Sequence, residues 1–505
     1  MSVVAVALLG MAGVPAEASP AAATTAAATS RFVPVHPARL LDTRIGLGAA
    51  AVPVPAGGEV VLQVTGNTLI PPEAIAAALT ITATDTTAPG YVTVWPADQA
   101  RPLASTLNVH VAGETVPNLA IVPLGRGGQV RLFTQEQAHL IVDVSGYWVS
   151  ATVSRGGRLQ VVGPRRVLDT RIGLGVAAGA LPPDGQLELR LGGVEVPADA
   201  TAAVMNLTAT EAAAPGYVTA WPTGGPRPHA SNLNLSWAGA TAANLVVVPL
   251  GRDGSVSFYA QSGTHLVADL AGWFTSEADP FDDQGLLVSL PPTRVFDSRD
   301  GIFATGQRTL PADRRYDVPL AGMTGIPCTS SGAVIVNVTG TEAAEPGYVT
   351  AWPAATHDSG TSVLNLAEPG HTRANLAIAP LGLWGQLSVR SQHPAALVLD
   401  VSGYFTGTAR RPEHGVTATP DHRADEGLPT APPCYANPLD GAPMPLPPRD
   451  IYDCDDFLFR DSAEELQRRW GDMFGFDPDG NGIVCDELPP LPGRCAAPLG
   501  GEHRA

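Results

Sequence analysis

The sequence predicts a mainly β protein: three tandem antiparallel β-sandwich or jelly-roll-like domains, then a small C-terminal α+loop module stapled by disulfides and a metal. Three observations predict it. The octapeptide Pro-Gly-Tyr-Val-Thr-x-Trp-Pro occurs at Pro89–Pro96, Pro215–Pro222 and Pro346–Pro353, spaced by 126 and 131 residues. A period that long is a whole domain rather than a solenoid turn. Around each copy, short runs of Val, Leu, Thr and aromatics are separated by Gly/Pro/Asp/Asn turns, as in antiparallel β folds. Beyond residue 448 the composition turns abruptly acidic.

The whole chain agrees. At 505 residues several cores are expected. Charged residues make up only 15% and aromatics 6%, while Gly (54) and Pro (48) are abundant, the profile of punctuated β domains. All 30 basic residues are Arg, which reads as compositional bias. The net charge of −18 argues against a nucleic-acid partner and is compatible with cation binding.

Residues 1–30 form a separate piece. Val3–Val14 is a short apolar run, followed by Ala16-Glu17-Ala18 and an Ala/Thr-rich stretch. This reads as a secretory signal peptide, although Met1-Ser2 supplies no basic residue. The run is too short to span a bilayer, so the expectation is a secreted, extracellular protein, associated with the cell wall and without a membrane span.

The repeats cover residues 31–150, 158–276 and 286–407. Each opens on Arg-Leu/Val-Leu/Phe-Asp-Thr/Ser-Arg, with Asp42, Asp169 and Asp297 at its centre. In the second copy the strand signals are Arg166–Thr170, Gln186–Leu191, Ala202–Thr210, Tyr217–Trp221, Ser231–Leu235, Asn244–Pro249, Ser255–Tyr259 and His265–Phe274. Eight short strands per copy point to a sandwich or jelly roll.

Polar residues recur with the period. Asp42/Arg44, Asp169/Arg171 and Asp297/Arg299 repeat, as do Asn108, Asn234 and Asn365, and then Asn118, Asn244 and Asn375. Such residues mostly tie off turns and strand ends, so the structural reading is preferred to a ligand role. In the octapeptide, Tyr and Trp share one strand face. Tyr91, Trp95, Tyr217, Trp221, Tyr348 and Trp352 are therefore either core anchors, the preferred reading, or a candidate carbohydrate platform.

The Arg-Leu-Leu-Asp-Thr-Arg start, Gly-Tyr-Val-Thr-x-Trp-Pro, the Ser-x-Leu-Asn turn and the Asp-Val-Ser-Gly-Tyr end together resemble a tandem module of secreted actinobacterial proteins. The resemblance spans about three quarters of the chain. It implies export and no particular activity.

Residues 408–448 form a Pro-rich linker, expected to be an extended spacer. The C-terminal module follows at 449–495. Asp450–Glu487 holds 12 acidic and 3 Arg residues, a local charge of 3 − 12 = −9. Ser462 with Glu465 makes a capping box for a helix whose apolar stripe is Leu466, Trp470 and Met473. Cys434, Cys454, Cys485 and Cys495 cluster here, suggesting two bridges in an exported protein with three connectivities open, while Cys328 reads as a small buried or tolerated thiol.

After the helix, Asp477, Asp479 and Asn481 stand at positions 1, 3 and 5 of a tight loop, Gly482 at the sharp turn, and the Ile483 carbonyl at position 7. Alternate oxygens around a glycine suit a hard cation, Ca2+. An EF-hand would place Glu at position 12, where Leu488 stands, so the closing carboxylate is Asp486 or Glu487. These residues, with Cys485 and the opening Cys454, Asp456 and Phe457, resemble the excalibur module, an extracellular calcium-binding domain. Asn481 replaces its third Asp and Asp486 its Glu. The resemblance implies a Cys454–Cys485 bridge, leaving Cys434 and Cys495 to pair.

The expectation is thus a secreted, non-catalytic calcium-binding protein whose β domains are spacers or adhesion modules at the cell envelope, with envelope polysaccharide or a surface protein as further partners. The alternative is a cell-wall carbohydrate-binding protein using the aromatic rows. No nucleophile elbow, metalloprotease motif or P-loop supports an enzyme.

Overall fold

The computed structural model describes residues 28–152, 155–279, 282–299, 308–328, 330–382 and 385–409. The signal-peptide reading, nearly all of the linker and the whole C-terminal module lie outside these residues. Among the described residues, no helix is long and apolar enough to cross a membrane.

Repeat one contains β1 (Ser30–Asp42), β2 (Glu59–Gln63), β3 (Ala74–Thr84), β4 (Gly90–Pro96), β5 (Leu107–Val109), β6 (Val116–Pro123), β7 (Gln129–Thr134) and β8 (His139–Ser150). Repeat two contains β9 (Leu159–Asp169), β10 (Gly185–Arg190), β11 (Ala202–Thr210), β12 (Gly216–Pro222), β13 (Leu233–Leu235), β14 (Ala242–Pro249), β15 (Ser255–Ala260) and β16 (His265–Phe274). Repeat three contains β17 (Leu287–Asp297), β18 (Tyr316–Pro319), β19 (Ser331–Thr341), β20 (Gly347–Pro353), β21 (Leu364–Leu366), β22 (Arg373–Pro380), β23 (Gln386–Ser391) and β24 (Ala396–Thr406).

The strands of each repeat divide into two antiparallel four-stranded sheets. In repeat two the orders are β9-β16-β11-β14 and β10-β15-β12-β13, successive strands crossing between sheets as in a jelly roll. Repeats one and three follow the same orders. A single pair, Ser30 with Leu287, joins their inner sheets into one of eight strands.

The inner strands are apolar on both faces, and β3 shows why. Leu79, Ile81 and Ala83 enter the core between the two sheets of repeat one. Ala76 and Ala78, alternating with them, enter a different core. That second core is shared by all three repeats. Leu119 and Ile121, Leu245 and Val247, and Leu376 and Ile378 meet there, topped by Phe32, Trp148, Phe274 and Phe405. The Phe32 ring lies 4.6 Å from Trp148 and 4.1 Å from Phe274. The repeats are therefore packed sheet to sheet around a fourth core, which the tandem pattern does not reveal.

The connections are built for this packing. Gly157 and Phe32 exchange two backbone hydrogen bonds, of 2.9 and 2.8 Å, and Gly285 accepts from Leu159 at 2.9 Å. A Cβ on Gly285 would lie 2.1 Å from the Leu159 carbonyl oxygen, so only glycine admits this approach.

Candidate functional site

The Asp/Arg signature forms the same network three times. The Arg39 guanidinium donates to Asp143 (2.9 Å) and to Asp42 (2.9 Å), bridging β1 to β8. Arg44 donates to both Asp42 oxygens, at 2.9 and 2.8 Å, and its backbone N–H also donates to that carboxylate. Arg166, Asp169, Arg171 and Asp269 repeat this in the second copy, and Arg294, Asp297, Arg299 and Asp400 in the third.

The hydrogen bond from Arg44 is the main force holding the Asp42 pKa at about 2, against the cost of burial. Arg171 likewise lowers Asp169. For Asp297 burial opposes more strongly, yet the bonds from Arg299 still leave it lowered. Burial instead raises Asp143, Asp269 and Asp400, the partners deeper in the sheets, and their arginines only partly offset it. This arrangement locks turns and strand ends.

The second Asn series joins the repeats. Asn244 Oδ1 accepts from the Leu119 amide (3.2 Å), Asn375 Oδ1 from Leu245 (2.9 Å), and Asn118 Oδ1 from Leu376 (3.2 Å). Each of the three is essentially buried. Together they form a closed ring through all three repeats. Beside it, Asn206 donates to the Ser362 carbonyl of repeat three (2.6 Å), and Asn337 to the Ser105 carbonyl of repeat one (2.7 Å). The equivalent residue of repeat one is Thr80, whose short side chain makes no such bond to repeat two. In the first series, Asn108 and Asn234 accept from Ser105 and Ser231 at 3.2 and 3.0 Å. The Asn365 Oδ1 is buried without a partner.

The aromatic rows do not form an exposed platform. Trp95, Trp221 and Trp352 are 2%, 4% and 4% exposed. Nor do they anchor the sandwich core: Val92 and Val94, on the opposite face of β4, enter it. The tryptophans are buried beneath the loop that follows their strand. Trp95 Nε1 donates to the Gln99 carbonyl (3.0 Å), Trp221 to Gly225 (3.2 Å) and Trp352 to Thr356 (3.2 Å). Thr93 fastens the far end of its loop through the Ala104 carbonyl (2.9 Å). Tyr91, Tyr217 and Tyr348 remain half-buried at the rim.

A cavity of about 390 Å³ lies between repeats one and two. Arg39, Arg44 and Thr82 contribute from repeat one, and Tyr217, Arg227 and Asn234 from repeat two. It sits at the interface where Thr80 replaces the bridging Asn. Smaller cavities of about 40 and 30 Å³ occur at the interfaces served by Asn337 and Asn206. Arg227 and Thr82 are not among the sequence candidates. Aligning the loop after Trp shows that repeats one and two share the arginine and that repeat three has an aspartate there: Arg101-Pro102-Leu103, Arg227-Pro228-His229 and Asp358-Ser359-Gly360.

The calcium-loop residues Asp477, Asp479, Asn481, Ile483, Asp486 and Glu487, and Cys434, Cys454, Cys485 and Cys495, lie outside the described residues. Cys328 corrects the sequence reading: it is exposed and disulfide-bonded, not a lone buried thiol.

No protein-family model and no curated protein matches the chain. Among solved structures, it is similar to one described as the triple jelly roll fold and turret assembly in an archaeal virus. The identity is 10%, with 74% of this chain and 91% of that chain covered. The TM-score is 0.16, too low to carry an argument.

Proposed function

We propose that the chain is a secreted, non-catalytic modular protein. Its three-repeat β body serves as a rigid, envelope-associated scaffold, and its C-terminal module binds calcium. The observation that supports the scaffold is the fate of the repeated polar residues. The Asp/Arg networks and the Asn118–Asn244–Asn375 ring make hydrogen bonds within and between repeats. Their repetition is thus accounted for by the body's own cohesion.

The calcium reading rests on the sequence of the loop: alternate Asp477, Asp479 and Asn481, then Gly482 and the carboxylates Asp486 and Glu487. A hard cation takes several oxygens at once, and such a loop supplies them. Isothermal titration of the full chain with calcium tests it. Saturable heat and a raised melting temperature at millimolar calcium are expected, both lost in the Asp477→Ala/Asp479→Ala double variant. No heat from the unaltered chain, or equal heat from the variant, overturns the reading.

A further inference from the structure

We infer that the cavity between repeats one and two binds an anionic saccharide, a sugar carrying a carboxylate, with Arg227 as the carboxylate's partner. This site is independent of the C-terminal module and of the buried tryptophans.

Its volume, about 390 Å³, falls within the roughly 300–1,000 Å³ of small-molecule sites. Its charges are unequal. Arg39 and Arg44 line it but already hold Asp42 and Asp143. Arg227 is exposed and pairs with no carboxylate among the described residues. Its guanidinium lies 3.7 Å from the centroid of the Tyr259 ring. A guanidinium stacked in this way keeps its N–H edge available to a carboxylate. Beside it His229 also lines the cavity. The Tyr259 hydroxyl donates to Asp184, so Arg227 stacks beside a carboxylate with which it forms no ion pair of its own.

The remaining wall suits hydroxyl groups. Thr82 is 2% exposed, and its Oγ1 has no hydrogen-bond partner. A buried hydroxyl without a partner is costly, and a ligand hydroxyl reaching it would relieve that cost. Asn234 accepts from Ser231 through Oδ1, which leaves its amide hydrogens as donors. Tyr217 is half-buried at the edge and offers a ring to an apolar sugar face. Carboxylate, hydroxyls and a flat face on one small molecule describe an acidic sugar better than a bare anion.

The pseudo-equivalent positions provide an internal control. Arg101 stacks on Phe133 at the same 3.7 Å but does not line the cavity between repeats one and two. Repeat three has Asp358 there.

The test is a titration of the full chain with glucuronate, glucose and inorganic phosphate, read by calorimetry and ligand-observed NMR. Glucuronate is expected to bind saturably and more tightly than glucose or phosphate. Arg227→Ala should weaken it roughly ten- to a hundredfold, the loss of one charge-assisted bond. Thr82→Val should also weaken it, and Arg101→Ala should leave it unchanged. Arg227→Gln gives the same reading should the alanine variant melt early. Absence of saturation at tens of millimolar glucuronate overturns the proposal. So does equal binding of glucose or phosphate, or an equal loss in Arg101→Ala.

Discussion

Asn244 of the second repeat accepts a hydrogen bond from the backbone amide of Leu119 in the first, 3.2 Å away inside the shared core. The bond recurs from Leu245 to Asn375 and from Leu376 to Asn118, so the last repeat returns to the first. A side chain that satisfies a neighbour's buried backbone fixes the mutual register of the sheets, which apolar contact alone leaves loose.

Replacing Asn244 by Leu should cost about 2–3 kcal/mol, because the Leu119 amide is left buried and unpaired. Chemical denaturation measures it. Asn244→Asp, which keeps an acceptor but adds a buried charge, should also destabilise, and its deficit should shrink at acid pH as the carboxyl protonates.

Thr80→Asn should stabilise. Asn206 and Asn337 donate to loop carbonyls of the next repeat, and Thr80 is the one place where that donor is missing. A new bond to the Ser231 or Asn232 carbonyl is worth about 1 kcal/mol. A raised melting temperature is the expected outcome; an unchanged or lower one means that repeats one and two do not approach closely enough.

The acid limb of stability should depend on the Asp42 network. The Asp42 pKa is lowered from 3.8 to about 2 in the folded chain. Its contribution is therefore complete above about pH 4 and is lost as pH falls toward 2. The loss is about 1–2 kcal/mol, partly offset by Asp143, whose raised pKa acts in the opposite sense. Urea midpoints followed from neutral to acid pH should fall less steeply in Asp42→Asn than in the unaltered chain.

Trp95→Ala should unfold or strongly destabilise repeat one, by about 3–5 kcal/mol, as expected for a buried tryptophan. Circular dichroism melts check this. A variant that kept full stability would contradict the burial of Trp95 beneath its loop.

Repeat two expressed alone should associate. It would expose Val204, Leu245, Val247 and Phe274, which the shared core covers in the full chain. The three-way ring also offers a closed symmetric solution to three identical copies. Light scattering should find trimers or larger assemblies, with the monomer a minor species.

Strand content was legible because β periodicity is local. In repeat two Ala202–Thr210 and His265–Phe274 are observed as read, and most other ends move by one or two residues. The first strand is the exception: it begins at Leu159, well before Arg166. Gly163-Pro164 lies inside it, and the strand passes through with a register shift where β9 meets β16 between Leu270 and Gly272. The octapeptide was half legible. Alternation separates Tyr91 and Trp95 from Val92 and Val94, yet it does not say which face meets the second sheet and which is covered by a loop.

By itself, the sequence determined that there are three copies of one β unit, where its strands run, and which polar residues the unit needs, because periodicity and turn chemistry act over a few residues. Only the tertiary structure decided what lies between the copies. Asn118 and Asn244 are 126 positions apart in the chain, and nothing near either shows that one satisfies the backbone beside the other. The cavity arises in the same way: Arg39, Thr82, Tyr217 and Arg227 line it from two repeats, a property of packing between distant segments.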